Sequence, residues 1–234
     1  FGEVPAVDGI SFEAPDGQVT GLLGPNGAGK TTTLRMLYGL MSPDAGHIEV
    51  DGSQVADDPQ ATQAKMGILP DSRGLYPRLT PREHLRYFGQ LHQLDGPTLD
   101  ARIDELVQLL DMGSIVDRRA EGFSQGERVK TALGRALVHD PANVILDEPT
   151  NDLDIPTLRL LEEALEALPG CGVVVSHDRY FLDRVATHIL ALDGEGSGRF
   201  FEGSYQAYAE KMRQERIDRG EDPDLPRGVH RRFA

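Results

Sequence analysis

The chain has 234 residues, of which 39% are hydrophobic and 26% charged, a composition typical of a folded globular domain. No apolar run approaches the roughly 20 residues that a membrane-spanning helix needs, and the single cysteine, Cys171, excludes an internal disulfide and fits a reducing compartment. A net charge of −14 opposes non-specific binding to nucleic acid, because neutralising phosphates requires a basic surface. We therefore expect a cytoplasmic protein with no DNA partner.

The first informative segment in chain order is a glycine-rich loop. It spells G-P-N-G-A-G-K-T over residues 24–31, after the apolar run Val19–Leu23 and before a helical run from Thr32 to Leu40. This strand, G-x-x-x-x-G-K-[ST] loop and helix form the context of a phosphate-binding loop, in which backbone amides of residues 27–32 bind phosphate oxygens. Lys30 is placed to bridge the β- and γ-phosphates of a nucleotide, and the Thr31 hydroxyl to ligate Mg²⁺. The residues assigned here to nucleotide binding are Asn26, Gly27, Ala28, Gly29, Lys30, Thr31 and Thr32.

Short apolar runs along the rest of the chain predict buried strands. They occur at Met66–Leu69, Val144–Leu146 and Val173–Val175, between segments with helical patterns. This alternation predicts an α/β fold with a mixed, mostly parallel sheet. Ala6–Phe12 and His47–Val50 alternate in polarity instead, which predicts an N-terminal antiparallel β piece.

A helical insert is predicted between the two halves of the sheet. Thr80-Pro81-Arg82-Glu83 has the cap, proline and glutamate of a helix start, and Ile103, Leu106, Val107 and Leu110 form one helical stripe. We expect an α/β core made of residues 1–71 and 131–219, an inserted α-helical subdomain at 72–130, and a loose tail at 220–234.

Acidic residues and a histidine follow two of the predicted strands. Asp147 and Glu148 end the run that begins at Asn143, and His177 follows Val173–Val175. Phosphoryl transfer needs a carboxylate for the metal and a base that orients water, which suits Asp147 and Glu148 respectively. His177 stands where ligands bind in open α/β sheets, so it is either a γ-phosphate contact or a histidine at a surface loop.

Together these motifs resemble the ATP-binding cassette (ABC) ATPase family over nearly the whole chain. Five motifs occur in the family's order. The phosphate loop is residues 24–31, the signature is F-S-Q-G-E at 123–127, and the acidic pair is Asp147-Glu148. The aspartate loop that follows is residues 151–154, and the switch histidine is His177. The resemblance implies a P-loop NTPase core of ABC type that hydrolyses ATP with Mg²⁺. It also implies a head-to-tail homodimer when ATP is bound, and a membrane permease as partner, through which a cytoplasmic chain could associate with a membrane.

The resemblance assigns further residues. Ser124 and Gly126 of one protomer would cap the γ-phosphate held by Lys30 of the other, and Asp154 would couple the two sites. Phe1 falls where the family places an aromatic residue that stacks on adenine, although it can equally be a core residue.

Two positions depart from the family pattern. Asp71 replaces the usual glutamine after the third strand, so it can contact metal or water but cannot donate a hydrogen bond to phosphate when ionised. In the signature, Gln125 and Glu127 replace the usual first glycine and last glutamine. Glu127 would repel a γ-phosphate unless its side chain points elsewhere.

Two subfamily patterns occur in the chain. Residues up to about 148 resemble the ATPase subunit of bacterial sodium- or drug-exporting transporters, whereas residues from about 150 resemble the second cassette of the ABC-F translation factors, which bind the ribosome. One hypothesis is a recombinant of the two lineages, built deliberately; the alternative is a natural cassette that combines both patterns.

Three roles are possible for the chain: an exporter motor, a translation-factor fragment on the ribosome, or a cassette that binds nucleotide or merely folds without a cellular partner.

Overall fold

The computed structural model describes residues 5–71, 74–151 and 153–222. Its strands are β1 (Val19–Leu23), β2 (Glu49–Val50), β3 (Ser53–Gln54), β4 (Met66–Leu69), β5 (Asn143–Asp147), β6 (Gly172–Val175), β7 (His188–Leu192) and β8 (Gly198–Glu202). Its helices are α1 (Lys30–Leu37), α2 (Pro59–Gln63), α3 (Pro81–Leu91), α4 (Gly96–Leu109), α5 (Gln125–Leu137), α6 (Ile155–Glu166), α7 (Arg179–Val185) and α8 (Tyr205–Asp218).

Six of the strands form one sheet in the order β4-β5-β6-β1-β7-β8. The first five of these run parallel, and β8 pairs antiparallel with β7 at the edge. Every residue of β5 and β6 is buried, as expected for strands covered on both faces. The predicted α/β class with a mixed, mostly parallel sheet is confirmed, and so are the predicted strands β1, β4, β5 and β6.

Parallel pairing decides where the functional motifs meet. The glycine-rich loop follows β1, Asp71 comes after β4, the acidic pair ends β5, and His177 comes after β6. Because β4, β5, β6 and β1 are consecutive neighbours and run the same way, all four segments leave the sheet at its carboxyl edge.

The core fills both faces of the sheet. On one face, α1 contributes Leu34 to a cluster with Leu22 of β1 and Ile145 of β5. On the other face, Leu85, Ile103 and Leu133 of helices α3 to α5 share a continuous cluster with strand residues and with α6 and α7. The helical region is thus packed directly against the sheet, and the predicted boundary after residue 130 falls inside α5. The division into subdomains stays a prediction.

The helix predicted at Thr80 begins where its sequence indicates. The Thr80 hydroxyl accepts a hydrogen bond from the Glu83 amide at 3.2 Å, and the Glu83 carboxylate accepts one from the Thr80 amide at 2.8 Å. This reciprocal pair satisfies two N–H groups that the first helical turn cannot. Of the predicted stripe, Ile103 and Leu106 in α4 and Leu110 at its C-cap are buried, and Val107 is partly buried against the same cluster.

One predicted strand is absent. His47–Val50 does supply β2, which pairs antiparallel with β3, but Ala6–Phe12 forms no strand. Gly9 adopts a left-handed φ of +64°, which interrupts the extended backbone that the alternation suggested. The segment is attached instead by the Asp8 amide, which donates to the Gly196 carbonyl at 2.7 Å, and by Ile10 and Phe12, which pack on the core.

None of the helices in the described ranges is long and apolar enough to span a membrane.

Candidate functional site

The glycine-rich loop packs closely against the backbone of the N-terminal segment at Ala6. Gly29 has a φ of +92°, and a side-chain carbon there would collide with the Ala6 carbonyl and the Val7 side chain. Only glycine suits both the conformation and the space. The first hydrogen bond of α1 is from the Thr33 amide to the Gly29 carbonyl at 2.8 Å, so the amides just before Thr33 are left to bind an external acceptor.

Lys30 lies inside this loop. Its ammonium group donates hydrogen bonds to the carbonyls of Gly24 at 2.8 Å and Pro25 at 3.1 Å. Burial lowers the pKa of Lys30, while the negative charges of Glu148 and Asp147 oppose that shift. A cation is therefore fixed at the mouth of the loop, within electrostatic range of both acids.

A cavity of about 550 Å³ opens at the carboxyl edge of the sheet. It brings together the predicted residues Asn26, Gly27, Gly29, Lys30, Thr31, Thr32, Asp71, Asp147, Glu148 and His177. Ala28, predicted to bind nucleotide, does not line the cavity: its side chain is buried, and its amide donates to the Pro25 carbonyl within the loop at 3.1 Å. Phe1 lies outside the described residues.

The cavity also contains three residues that the sequence did not single out as site residues: Ala6, Asn151 and Val175. Val175 is the last residue of β6, and Asn151 follows the acidic pair by three positions, so both reach the carboxyl edge through their strands. Ala6, in contrast, belongs to the N-terminal segment and follows none of these strands, so its place at the cavity could not be read from a strand end.

The acidic pair and the histidine form a compact unit. Asp147 and Glu148 are both buried, and Glu148 has a left-handed φ of +47°. One Glu148 carboxylate oxygen accepts the His177 amide at 3.3 Å, and the other lies 3.2 Å from His177 Nε2. Strained backbone of this kind costs of the order of 1–3 kcal/mol and persists where the surrounding contacts impose it. Here it turns the carboxylate toward the histidine.

Further hydrogen bonds tie the two loops together. The Glu148 amide donates to the Val175 carbonyl at 2.9 Å, and the hydroxyls of Thr150 and Ser176 are 2.7 Å apart. Ser176 is buried and its hydroxyl also accepts the Asp178 amide at 3.0 Å. The segment that carries His177 is therefore tied to the segment that carries the acids.

The donor set at this edge suits a magnesium ion that arrives with a nucleotide. Within residues 5–71, 74–151 and 153–222, no group of three or more His, Cys, Asp or Glu side chains is placed to hold a metal by itself. The Thr31 hydroxyl and the Asp147 and Asp71 carboxylates nevertheless line the same cavity as the phosphate loop. Mg²⁺ typically takes one or two carboxylates and completes its shell with substrate phosphates and water. The oxygen ligands therefore fit.

The signature residues lie elsewhere. Ser124 is the N-cap of α5 and Asp154 the N-cap of α6, where its carboxylate accepts the Thr157 amide at 3.0 Å. A side-chain carbon on Gly126 would lie 3.6 Å from the Thr157 hydroxyl, so the two helix starts are adjacent. Neither Ser124, Gly126 nor Asp154 lines the cavity. Within one chain, the predicted site residues thus form two separate groups: those that line the cavity, and those at the starts of α5 and α6.

Known proteins resemble this chain over most of its length. It is 35% identical over 228 residues to the ABC transporter ATP-binding protein NatA of Bacillus subtilis, covering 97% of this chain and 93% of NatA. It is 37% identical to the Nod factor export ATP-binding protein I of Paraburkholderia xenovorans, covering 84% of this chain and 65% of that protein. It is also 37% identical to the translational throttle protein EttA of Escherichia coli K12, over 90% of this chain but only 36% of EttA.

Solved structures share the fold. An ATP-binding subunit of an ABC transporter superposes with a TM-score of 0.81 at 24% identity, covering 96% of this chain and 92% of that one. A dimeric ATP-binding cassette in a post-hydrolysis state, bound to ADP and Pi, gives a TM-score of 0.76 at 23% identity, with 86% and 93% covered.

A family model described as ABC transporter matches residues 7–151, which include the phosphate loop, the signature and the acidic pair. The sequence, the fold and the cavity all agree with that match. The chain belongs to the ATP-binding cassette family of ABC transporters, and as a member of it is an ATPase that binds ATP with Mg²⁺.

Proposed function

We propose that this chain is the nucleotide-binding motor subunit of an exporter-type ABC transporter. The observation that supports this most is the cavity in which Lys30, Asp147, Glu148 and His177 meet. The similarity to NatA extends over almost all of both chains, and the Nod factor protein is by name an export ATP-binding protein.

The site residues would divide the reaction among them. Lys30 and the loop amides bind the phosphates, and His177 contacts the γ-phosphate. Glu148 orients the attacking water and accepts its proton as the new bond to phosphorus forms and the bond to ADP breaks. Mg²⁺ bound by Thr31 and Asp147, with Asp71 in reach of the metal or its water, would neutralise phosphate charge. Phe1 would stack on adenine.

A second copy of the chain would complete each site. Ser124, Gly126 and Asp154 lie at the starts of α5 and α6, outside the cavity. Helix N-termini favour anions, so a head-to-tail partner would present this surface to the γ-phosphate at Lys30. A structure with the same fold is described as a dimer bound to ADP and Pi.

The dependence of ATPase rate on protein concentration tests this proposal. If two chains form each active unit, the total rate at low concentration rises with the square of the protein concentration and becomes linear once dimers predominate. A rate that is linear throughout would contradict the shared site. The absence of Mg-ATP hydrolysis at any concentration would support the role of a cassette that only binds nucleotide or folds.

The helical region would dock the permease. Its candidate surface lies around Gly74–Arg82, where Tyr76 is half exposed and stacks with His84 at 5.9 Å between ring centroids. In this proposal, residues 72–130 act as the unit that transmits motion from the nucleotide to the membrane partner. Co-purification with a permease encoded beside the gene would test it.

The similarity to EttA favours a second candidate, a translation-factor fragment acting on the ribosome. The chain spans about a third of EttA, so the activity of the whole of EttA does not transfer by similarity alone. The net charge of −14 disfavours RNA binding. Sedimentation with ribosomes in the presence of ATP discriminates the two, since an exporter motor would stay in the supernatant.

The recombinant origin stays a hypothesis. NatA aligns over 97% and EttA over 90% of the chain, so neither similarity is confined to one side of residues 148–150. Sequencing the source locus decides the matter, because one uninterrupted natural gene with both patterns would end the recombinant hypothesis.

A further inference from the structure

The signature helix α5 begins with a carboxylate beside its phosphate-facing serine. Glu127 accepts a hydrogen bond from the Ser124 amide at 2.7 Å through Oε2, and its own amide donates to the Ser124 hydroxyl at 3.2 Å. This capping box holds Glu127 against Ser124. The negative charge therefore cannot swing away from the surface that the proposed dimer presents to ATP.

The second oxygen of Glu127 is bound by an arginine from outside the helix. Arg118 Nη2 donates to Glu127 Oε1 at 2.5 Å, and the Glu127 side chain is only 24% exposed. The guanidinium also lies over the Phe123 ring, 4.9 Å from its centroid, while Phe123 itself is buried. Two contacts thus fix the arginine at the start of α5.

The carboxylate remains charged at neutral pH. Burial opposes ionisation of Glu127, but the Ser124 amide and Arg118 outweigh it and hold the pKa below its ordinary value. A γ-phosphate approaching Ser124 and Gly126 would therefore meet an anion unless that charge is balanced locally.

We propose that Arg118 is a positioning residue for the signature: it neutralises and fixes Glu127, so that Ser124 and Gly126 can receive an anionic γ-phosphate from the other protomer. This inference rests on the proposed dimer. It assigns Arg118 an effect on the ATP-dependent association of the chains, exerted through Glu127, and none on the chemistry at Glu148.

Four proteins test it: the unmodified chain, Arg118→Ala, Glu127→Gln, and the double variant. Glutamine keeps an oxygen to accept the Ser124 amide but removes the charge. The readouts are the protein concentration at half-maximal specific ATPase activity and the plateau rate per protomer. Interactions of partly exposed charges change an equilibrium about twofold to fivefold per site, and each dimer has two such sites. Arg118→Ala should therefore raise the half-maximal concentration about tenfold and leave the plateau rate nearly unchanged.

The double variant separates charge compensation from folding. If Arg118 acts through Glu127, adding Glu127→Gln to Arg118→Ala restores the half-maximal concentration to within about twofold of Glu127→Gln alone. Arg119→Ala is the matched control, because it removes the same charge from the neighbouring exposed position and should leave the half-maximal concentration near that of the unmodified chain.

Two results overturn the inference while leaving the proposed function intact. One is an Arg118→Ala variant that associates like the unmodified chain. The other is a double variant as impaired as Arg118→Ala, which would mean that Arg118 acts on the fold or touches ATP directly. An unmodified chain whose rate stays linear in concentration contradicts the proposed dimer instead.

Discussion

Glu148 adopts a backbone conformation that non-glycine residues rarely take. Its φ of +47° places it in the left-handed region at the end of β5, with its carboxylate against His177. A position selected for stability alone would favour glycine there, because glycine adopts this conformation without strain. Four other non-glycine residues of the described chain also have a positive φ (Asp51, Gln93, Asp111 and Asp140), so the conformation alone does not mark a functional residue. Its combination with a buried carboxylate in contact with His177 connects Glu148 with function.

We predict that Glu148→Gln abolishes turnover and retains ATP binding. Glutamine has nearly the same shape and can still accept the His177 amide, but it cannot take a proton from water. Loss of a positioned general base typically costs about 10²–10⁴-fold in rate. Phosphate release and titration with a fluorescent ATP analogue measure the two properties, and turnover comparable to that of the unmodified chain would refute the assignment.

At the scale of elements, α3 and α5 begin with the same device. Each has a hydroxyl N-cap and a glutamate three residues later, and the two side chains exchange hydrogen bonds with the opposite backbone amides. Each cap stabilises the first turn of its own helix in the same way, but only Ser124 has a proposed contact with ATP. Substitutions at Thr80 and Ser124 can therefore separate helix capping from nucleotide contact.

We predict that Thr80→Ala and Ser124→Ala each lower the free energy of unfolding by about 1 kcal/mol, since each removes one N-cap acceptor. Only Ser124→Ala should also lower ATPase activity. Urea unfolding and steady-state rates, measured on both variants, test this. Equal losses of activity in the two variants would mean that the signature serine acts only as a helix cap.

At the scale of the whole molecule, a pair of histidines joins the end of α3 to the end of α5. The rings of His92 and His139 stack with centroids 3.7 Å apart and planes within 2°, and His139 Nε2 lies 3.2 Å from the Met66 carbonyl at the start of β4. Burial, with the charge of His92, lowers the pKa of His139 to about 4, while Arg102 and Asp140 act on it in opposite senses. The helical region is thus attached to the sheet through neutral imidazole.

This attachment predicts a stability that declines in mild acid. Between the ordinary histidine pKa of about 6.5 and the native value of about 4, the unfolded chain binds a proton at His139 that the native chain does not, so stability falls as pH falls through this window. The contribution at pH 5, relative to pH 8, is about 1–2 kcal/mol after allowance for partial exposure.

Chemical unfolding at several pH values measures this contribution. His139→Gln should make the decline between pH 7 and pH 5 shallower but not remove it, because burial also lowers the pKa values of His84 and His92. His47→Gln, at an exposed position, should leave the decline as it is in the unmodified chain. An unchanged decline in His139→Gln would assign the acid sensitivity to other groups.

The sequence alone determined the phosphate loop, strands β1, β4, β5 and β6, and the start of α3, because each depends on a local pattern of apolar, glycine or capping residues. It also predicted that Lys30, Asp147, Glu148 and His177 would meet, since parallel strands deliver their carboxyl ends to one edge. Tertiary structure decided the rest. The segment Ala6–Phe12 is attached by the Asp8–Gly196 hydrogen bond and not as a strand, the Ala6 carbonyl restricts residue 29 to glycine, and Arg118 reaches Glu127 across a loop. These contacts join residues from different segments, and only the packing of the whole chain fixes such distances.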